Sequence, residues 1–222
     1  MSDVDGIAVN VERVRTRIVD ASRRAGRPDD AVTLVGATKT VDADRVAVAL
    51  RAGLVEVGEN RAQELLAKAP VLADAPEPPR WHFLGALQRN KVRALSGWVT
   101  CWESVDRLAL GHSIAQHAPG ARILVEVNLA GEAQKAGCAP SEAPELVDEL
   151  RALGLHVAGL MTVPPHCDDP RPWFAQLRGL ADRLALAELS MGMTDDFEPA
   201  IAEGATIVRI GRAIFGARRP QR

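Results

Sequence analysis

Short apolar runs separated by amphipathic stretches recur along nearly the whole chain, and this alternation constrains the fold more than any single residue does. The runs fall at 32–37, 54–57, 81–84, 98–101, 123–127, 156–160, 187–191 and 207–210. They are too short for helices and lack a regular polar alternation, which is the pattern of a strand buried on both faces. Amphipathic stretches at 42–52, 61–69, 105–116, 141–153, 171–184 and 196–203 lie between most of them. Strands alternating with helices pair in parallel through right-handed crossovers. Eight of them close most naturally into a (β/α)8 TIM-type barrel, with an open doubly wound sheet as the alternative. A further helix precedes the first run, because Ile7, Val11, Val14, Ile18 and Ala21 recur at helical spacing before Gly26-Arg27-Pro28 stops it. Residues 1–26 are therefore expected as an extra helix packed on one barrel domain spanning 1–222. Residues 70–80 carry Pro70, Pro76, Pro78 and Pro79 and read as a stiff surface connection.

Composition narrows the class of function. A net charge of −2 over 222 residues gives no electrostatic case for nucleic acid or an anionic membrane. No segment approaches the roughly 18 uninterrupted apolar residues of a membrane span, and the polar, arginine-bearing N-terminus does not resemble a signal peptide. Cys101, Cys138 and Cys167 are odd in number and widely spaced, which argues against a disulfide framework or a metal site and for a reducing, cytoplasmic setting. A monomer is expected, since no large apolar face stands out.

Chemistry-bearing residues gather at the ends of the runs, where the mouth of a barrel would lie. Lys39 follows the first run. A lysine amine is almost wholly protonated at pH 7, so covalent use of it requires burial or neighbouring positive charge. Arg209 sits inside the last apolar run, is costly there unless paired, and would lie beside the first strand on closure. Its bland reading is a structural ion pair. Ser190-Met191-Gly192 and Gly211-Arg212 offer a hydroxyl and consecutive N–H groups suited to a phosphate, although each glycine singly could be a turn residue. Asp195-Asp196 reads as acids at a helix start. Asn60, Gln88 and Asn90 suit a binding mouth, and His82 within an apolar run reads first as a core histidine. Glu126, Asn128, Glu132 and Lys135 crowd the end of the fifth run as a rim of ion pairs or a second polar site. One amine and one phosphate pocket at the same mouth point to a phosphorylated aldehyde.

These residues resemble those of a known family. Ala37-Thr38-Lys39-Thr40, Gly58-Glu59-Asn60, His82-Phe83-Leu84-Gly85 with Leu87-Gln88-Arg89-Asn90-Lys91, Gly159-Leu160-Met161-Thr162-Val163-Pro164, Leu189-Ser190-Met191-Gly192-Met193 and Arg209-Ile210-Gly211 together resemble the pyridoxal phosphate homeostasis proteins, related to the N-terminal barrel of alanine racemase. The resemblance covers essentially the whole chain. It implies that Lys39 holds pyridoxal 5′-phosphate as an internal aldimine, that Ser190, Met191, Gly192, Gly211 and Arg212 surround the phosphate, that Arg209 faces the pyridine nitrogen, and that Asn60 lies near the ring. Two positions depart from the commonest pattern: Arg61 stands where many members carry tyrosine, and Arg212 where threonine or serine is frequent.

The implied function is to buffer and deliver the cofactor, with apo forms of PLP-dependent enzymes as recipients, and so to maintain vitamin B6 and amino-acid pools. Racemisation is disfavoured. The chain contains no tyrosine to serve as the second base, it ends soon after its last run, and an arginine at the ring nitrogen weakens the cofactor as an electron sink. No residue is assigned a catalytic role. A PLP-dependent racemase or lyase of small amino acids is the alternative, and a cofactor-free Schiff-base aldolase is a third possibility. Lys135 is the second choice for the covalent amine.

Overall fold

The computed structural model describes residues 3–216; residues 1–2 and 217–222, parts of the expected N-terminal helix and of the 1–222 domain, lie outside them. Eight parallel strands form a closed barrel in sequence order: β1 (Thr33–Ala37), β2 (Glu56–Glu59), β3 (Arg80–Phe83), β4 (Val99–Val105), β5 (Arg122–Glu126), β6 (His156–Met161), β7 (Glu188–Ser190) and β8 (Ile207–Ile210). Helix α1 (Asp3–Arg24) precedes them. Between and after the strands come α2 (Ala43–Arg51), α3 (Ala62–Leu72), α4 (Val92–Leu95), α5 (Leu108–His117), α6 (Ala143–Ala152), α7 (Arg171–Arg183), α8 (Phe197–Ala202) and α9 (Arg212–Phe215). The open-sheet alternative is excluded by β1, which pairs with β2 on one side and with β8 on the other, setting Val35 opposite Arg209.

The strands alternate between two cores, as a period of two requires. Val35, Cys101, Leu124, Ala158, Met161 and Ile207 form a small cluster of their own, while Leu34, Val208 and Ile210 join the larger core shared with the helices. The α1 stripe of Ile7, Val11, Val14, Ile18 and Ala21 is buried in that larger core, and α1 contacts α2, α8 and α9. It ends as its sequence requires. Gly26 has φ +68°, and the N–H groups of Gly26 and Arg27 reach back to the carbonyls of Arg23 and Ser22, a Schellman closure.

Three local expectations need correction. Pro70 lies within α3 rather than in a connection. The helix runs through it to Leu72 although Pro70 has no N–H to give the Leu66 carbonyl, so the connection proper is residues 73–79. β4 runs on to Val105, past its expected end at 101; alternation from the inner Cys101 carries Glu103 into the interior, and a register shift against β5 between Trp102 and Val105 turns Val105 to the outer core. The short helices α4 and α9 were not expected, being single turns too brief to show a helical period.

Candidate active site

A cavity of about 750 Å³ opens at the carboxyl-terminal mouth of the barrel, lined by Ala37, Lys39, Asn60, Leu84, Val163, Met193, Thr194, Asp195, Arg209, Gly211 and Arg212 among others. Its walls come from the ends of β1, β2, β3, β6, β7 and β8. This is where a parallel barrel gathers its functional side chains, since the loops after the strands converge there. The expected residues Lys39, Asn60, Arg209, Gly211 and Arg212 thus share one cavity.

Lys39 is half-buried on a loop that is unusually well fixed. The next residue, Thr40, has φ +63°, costly for a threonine, and its N–H donates to Glu64 Oε2 at 2.6 Å. Beneath the loop, the Lys68 ammonium donates to the Thr38 carbonyl at 2.8 Å and to Glu59 Oε1 at 2.6 Å. The Thr38 hydroxyl donates to the same carboxylate oxygen at 2.7 Å. Glu59 is fully buried, and burial pushes its carboxyl up against the opposing pull of Lys68 and Thr38. A buried ion pair therefore grips the backbone on the residue before Lys39. Asn60 is held from the other side, because Gly85 packs directly on it: a Cβ there would come within 2.1 Å of the Asn60 carbonyl oxygen.

Arg209 is 5% exposed at the cavity wall. Its guanidinium donates to Ser190 Oγ at 2.6 Å and to the Thr162 carbonyl at 2.8 Å. Burial lowers its affinity for the proton, while the charges of Glu103, Glu126 and Asp196 oppose that. It is therefore not half of a simple ion pair, since both direct acceptors are neutral. Gly211 lies against Ala37, where a Cβ would approach the Ala37 carbonyl oxygen to 3.0 Å, so a side chain would narrow the cavity at this seam.

The expected phosphate segment is placed differently from its sequence reading. Ser190, Met191 and Gly192 are buried and do not line the cavity; the residues that follow them, Met193, Thr194 and Asp195, do. The Ser190 hydroxyl turns into the barrel and donates to Glu103, and the Met191 N–H is committed to the Ile207 carbonyl at 3.1 Å. Gly192 makes the turn: it has φ +95°, and a Cβ on it would strike Ala200 at 2.7 Å. Arg212 and Asp195 pair across the mouth. Asp195 thus departs from its expected role as a helix-start acid, while Asp196 accepts the Met193 N–H at 2.5 Å.

Sequence reasoning singled out His82 and Glu126 but missed Glu103 and Glu56, which complete the polar interior. Glu103 is fully buried and bonds His82 Nδ1, whose ring Nε2 faces Glu56 Oε2 at 3.1 Å. Burial opposes the histidine's charge, but bonding to Cys101, Glu103 and Glu56 outweighs it and holds the ring well above its ordinary titration range. His82 is accordingly a satisfied core residue, as its bland reading had it. Glu126 is different: its Oε2 is buried with no hydrogen-bond partner, and burial, with Asp106 and Glu103 nearby, pushes its carboxyl up to about 7 despite Arg209. Lys135 stands apart, bonded to the Pro164 carbonyl at 3.1 Å and paired with Glu132.

The family described as the alanine racemase N-terminal domain matches residues 9–219. The pyridoxal phosphate homeostasis protein of Aquifex aeolicus is 44% identical, the match covering 94% of this chain and 97% of that one. Its namesake in Pseudomonas aeruginosa is 42% identical, with 96% of each chain covered. PipY of Synechococcus elongatus, solved with PLP bound, is 32% identical and superposes with a TM-score of 0.79 over 93% of this chain and all of that one. Given identity of this order across almost the full length of each partner, and a barrel whose mouth presents the lysine, asparagine, arginine and glycine by which the resemblance was first drawn, the chain belongs to the alanine racemase N-terminal domain family, among the pyridoxal phosphate homeostasis proteins.

Proposed function

We propose that this chain binds pyridoxal 5′-phosphate at Lys39 and acts as a reservoir that holds and hands on the cofactor, supporting vitamin B6 and amino-acid homeostasis. The observation that carries the reading is that an amine and three groups suited to a phosphorylated aromatic ring, Arg209, Gly211 and Arg212, line a single cavity. The donor set fits the group. Arg212, which shares its charge with Asp195, would sit towards the phosphate and Arg209 beside the ring, and the glycine seam beside Ala37 leaves room for a flat ring. Lys39, Asn60, Arg209, Gly211 and Arg212 would hold the cofactor. Met191 and Gly192 would contribute by shaping the turn that brings Met193, Thr194 and Asp195 to the cavity, and Ser190 by bracing Arg209. When bound, the cofactor supplies an aldehyde that condenses reversibly with a primary amine.

The chain's own contribution is positional. Lys68 and Glu59 fix the Lys39 loop, Gly85 fixes Asn60, and the half-buried setting of Lys39 limits access by water and stray amines. Arg209 retains its proton beside the ring rather than protonating it, which disfavours carbanion chemistry and favours storage. Three free cysteines suit a reducing cytoplasm, and the likeness to PipY and to the named relatives supports the cofactor assignment. We take the working unit to be a monomer acting as one 222-residue domain, with PLP-requiring apo-enzymes as recipients. Among the described residues no helix is long and apolar enough to cross a membrane.

An absorbance scan with added PLP, followed by borohydride reduction and peptide mapping, tests the reading. The expected result is a reducible adduct on the Lys39 peptide that is lost in Lys39→Ala with the fold intact. An adduct persisting elsewhere, or none in the wild type, overturns it. Deuterium exchange at Cα of free alanine tests the storage assignment separately, and incorporation at enzyme-like rates would refute it while leaving PLP binding standing.

A further inference from the structure

Arg209 meets the cavity with donors to spare. A guanidinium carries five N–H groups, and the described residues accept from two of its nitrogens, at Ser190 Oγ and the Thr162 carbonyl. It cannot shed its charge, so a buried arginine held only by neutral oxygens needs a counter-charge close behind. Glu103 is that charge, yet it does not touch the guanidinium. The Ser190 hydroxyl stands between them, accepting from Arg209 and donating to Glu103. The other Glu103 oxygen rests on His82 Nδ1, and His82 continues to Glu56, which pairs with Arg80 at 2.6 Å. The three members nearest the cavity, Ser190, Glu103 and His82, are at most 1% exposed. The chain of contacts runs from the mouth down through the barrel interior.

The alternation of charge along it is informative. Arg209, His82 and Arg80 are cations and Glu103 and Glu56 anions, so no two like charges adjoin along it. A carboxylate placed directly against Arg209 would form a two-pronged pair and consume two parallel N–H donors. Interposing a serine supplies the countercharge through one edge only and leaves the remaining donors for a ligand.

We propose that Glu103 is a positioning residue for the cofactor: acting through Ser190, it holds Arg209 charged, oriented and uncommitted at the cavity wall, with His82 locking Glu103 in turn. This rests on the PLP site proposed above. Glu103 touches no ligand itself and works only through Arg209.

A double-mutant cycle on PLP affinity, measured by equilibrium titration, tests this, with apo-protein melting recorded for each variant. Glu103→Gln is expected to raise the Kd about tenfold, within the range for coupled members of one network. In an Arg209→Gln background the same change is expected to move it less than about twofold, because nothing remains for Glu103 to position. Equal losses in both backgrounds overturn the proposal, as does a Kd that is unchanged while the melting temperature falls. Should Glu103→Gln fail to fold, Ser190→Ala enters the same cycle, and additivity there refutes the relay. A wild type that binds no PLP sinks the site itself, and is thereby distinguished from failure of the relay.

Discussion

Glu126 gives the sharpest test of the barrel's electrostatics. Its carboxyl is 8% exposed, has an oxygen without a partner, and titrates at about 7 rather than the reference 4.5. The folded state therefore binds a proton more tightly than the unfolded chain. Below pH 4.5 both states are protonated and the group contributes no difference. Between pH 4.5 and 7 the unfolded carboxyl ionises while the folded one stays neutral, so stability falls as pH rises. Above 7 the deficit is complete. The shift of 4.5 to about 7 corresponds to a deficit of about 3 kcal/mol.

Glu126→Gln removes this titration while keeping the shape. Urea unfolding of wild type and variant at half-unit steps from pH 4.5 to 8 should show the variant gaining on the wild type by about 3 kcal/mol across that window and then levelling off. Because the comparison is a difference, other titrating groups largely cancel. The rival picture is that Arg209 captures the carboxylate as a direct ion pair. Glu126 would then titrate below its reference value, and the variant would lose ground as pH rises through the acid range. A flat or inverted difference curve refutes the reasoning.

Two other substitutions probe separate parts of the frame. Lys68→Met leaves Glu59 buried without its cation and should cost about 3–5 kcal/mol near neutral pH, less in acid as Glu59 takes up a proton, with urea midpoints as the readout. Ala185 closes α7 with φ +51° and an exposed side chain, using the backbone pattern that Gly26 uses after α1. Ala185→Gly should stabilise the protein by about 0.5–1 kcal/mol, relief of left-handed strain outweighing the added chain entropy; a lowered melting temperature would show that the strain is not there.

The barrel was legible because its evidence is repetitive. Eight apolar runs each bury both faces, so a wrong boundary in one changes nothing about the count or the pairing. Boundaries slipped where a residue is buried for another reason. Leu54 looks like the start of β2 but belongs to the closure after α2, its N–H bonding the Ala49 carbonyl at 3.0 Å, and the strand begins at Glu56. Pro70 looked like a breaker, yet α3 continues through it to Leu72.

The site was legible only where a residue's type declares its task. A lysine and an arginine at adjoining strand ends are conspicuous in sequence, and closure of β1 on β8 brings both to one cavity. Ser190 shows the limit. A hydroxyl beside a glycine turn reads equally well as a phosphate donor or as a brace, and the choice depends on which face of β7 it occupies. That face is fixed by pairing with β6 and β8, where Ser190 sits opposite Met161 and Ile207, both members of the inner cluster. Its partner Glu103 was harder still to find. It faces inward by simple alternation from Cys101, but the apolar run read as β4 stops at Cys101, and an isolated glutamate beyond it carries no periodic signal. Barrel interiors of this kind hide their polar groups from pattern reading, since each is satisfied by a residue on another strand rather than by a neighbour in sequence.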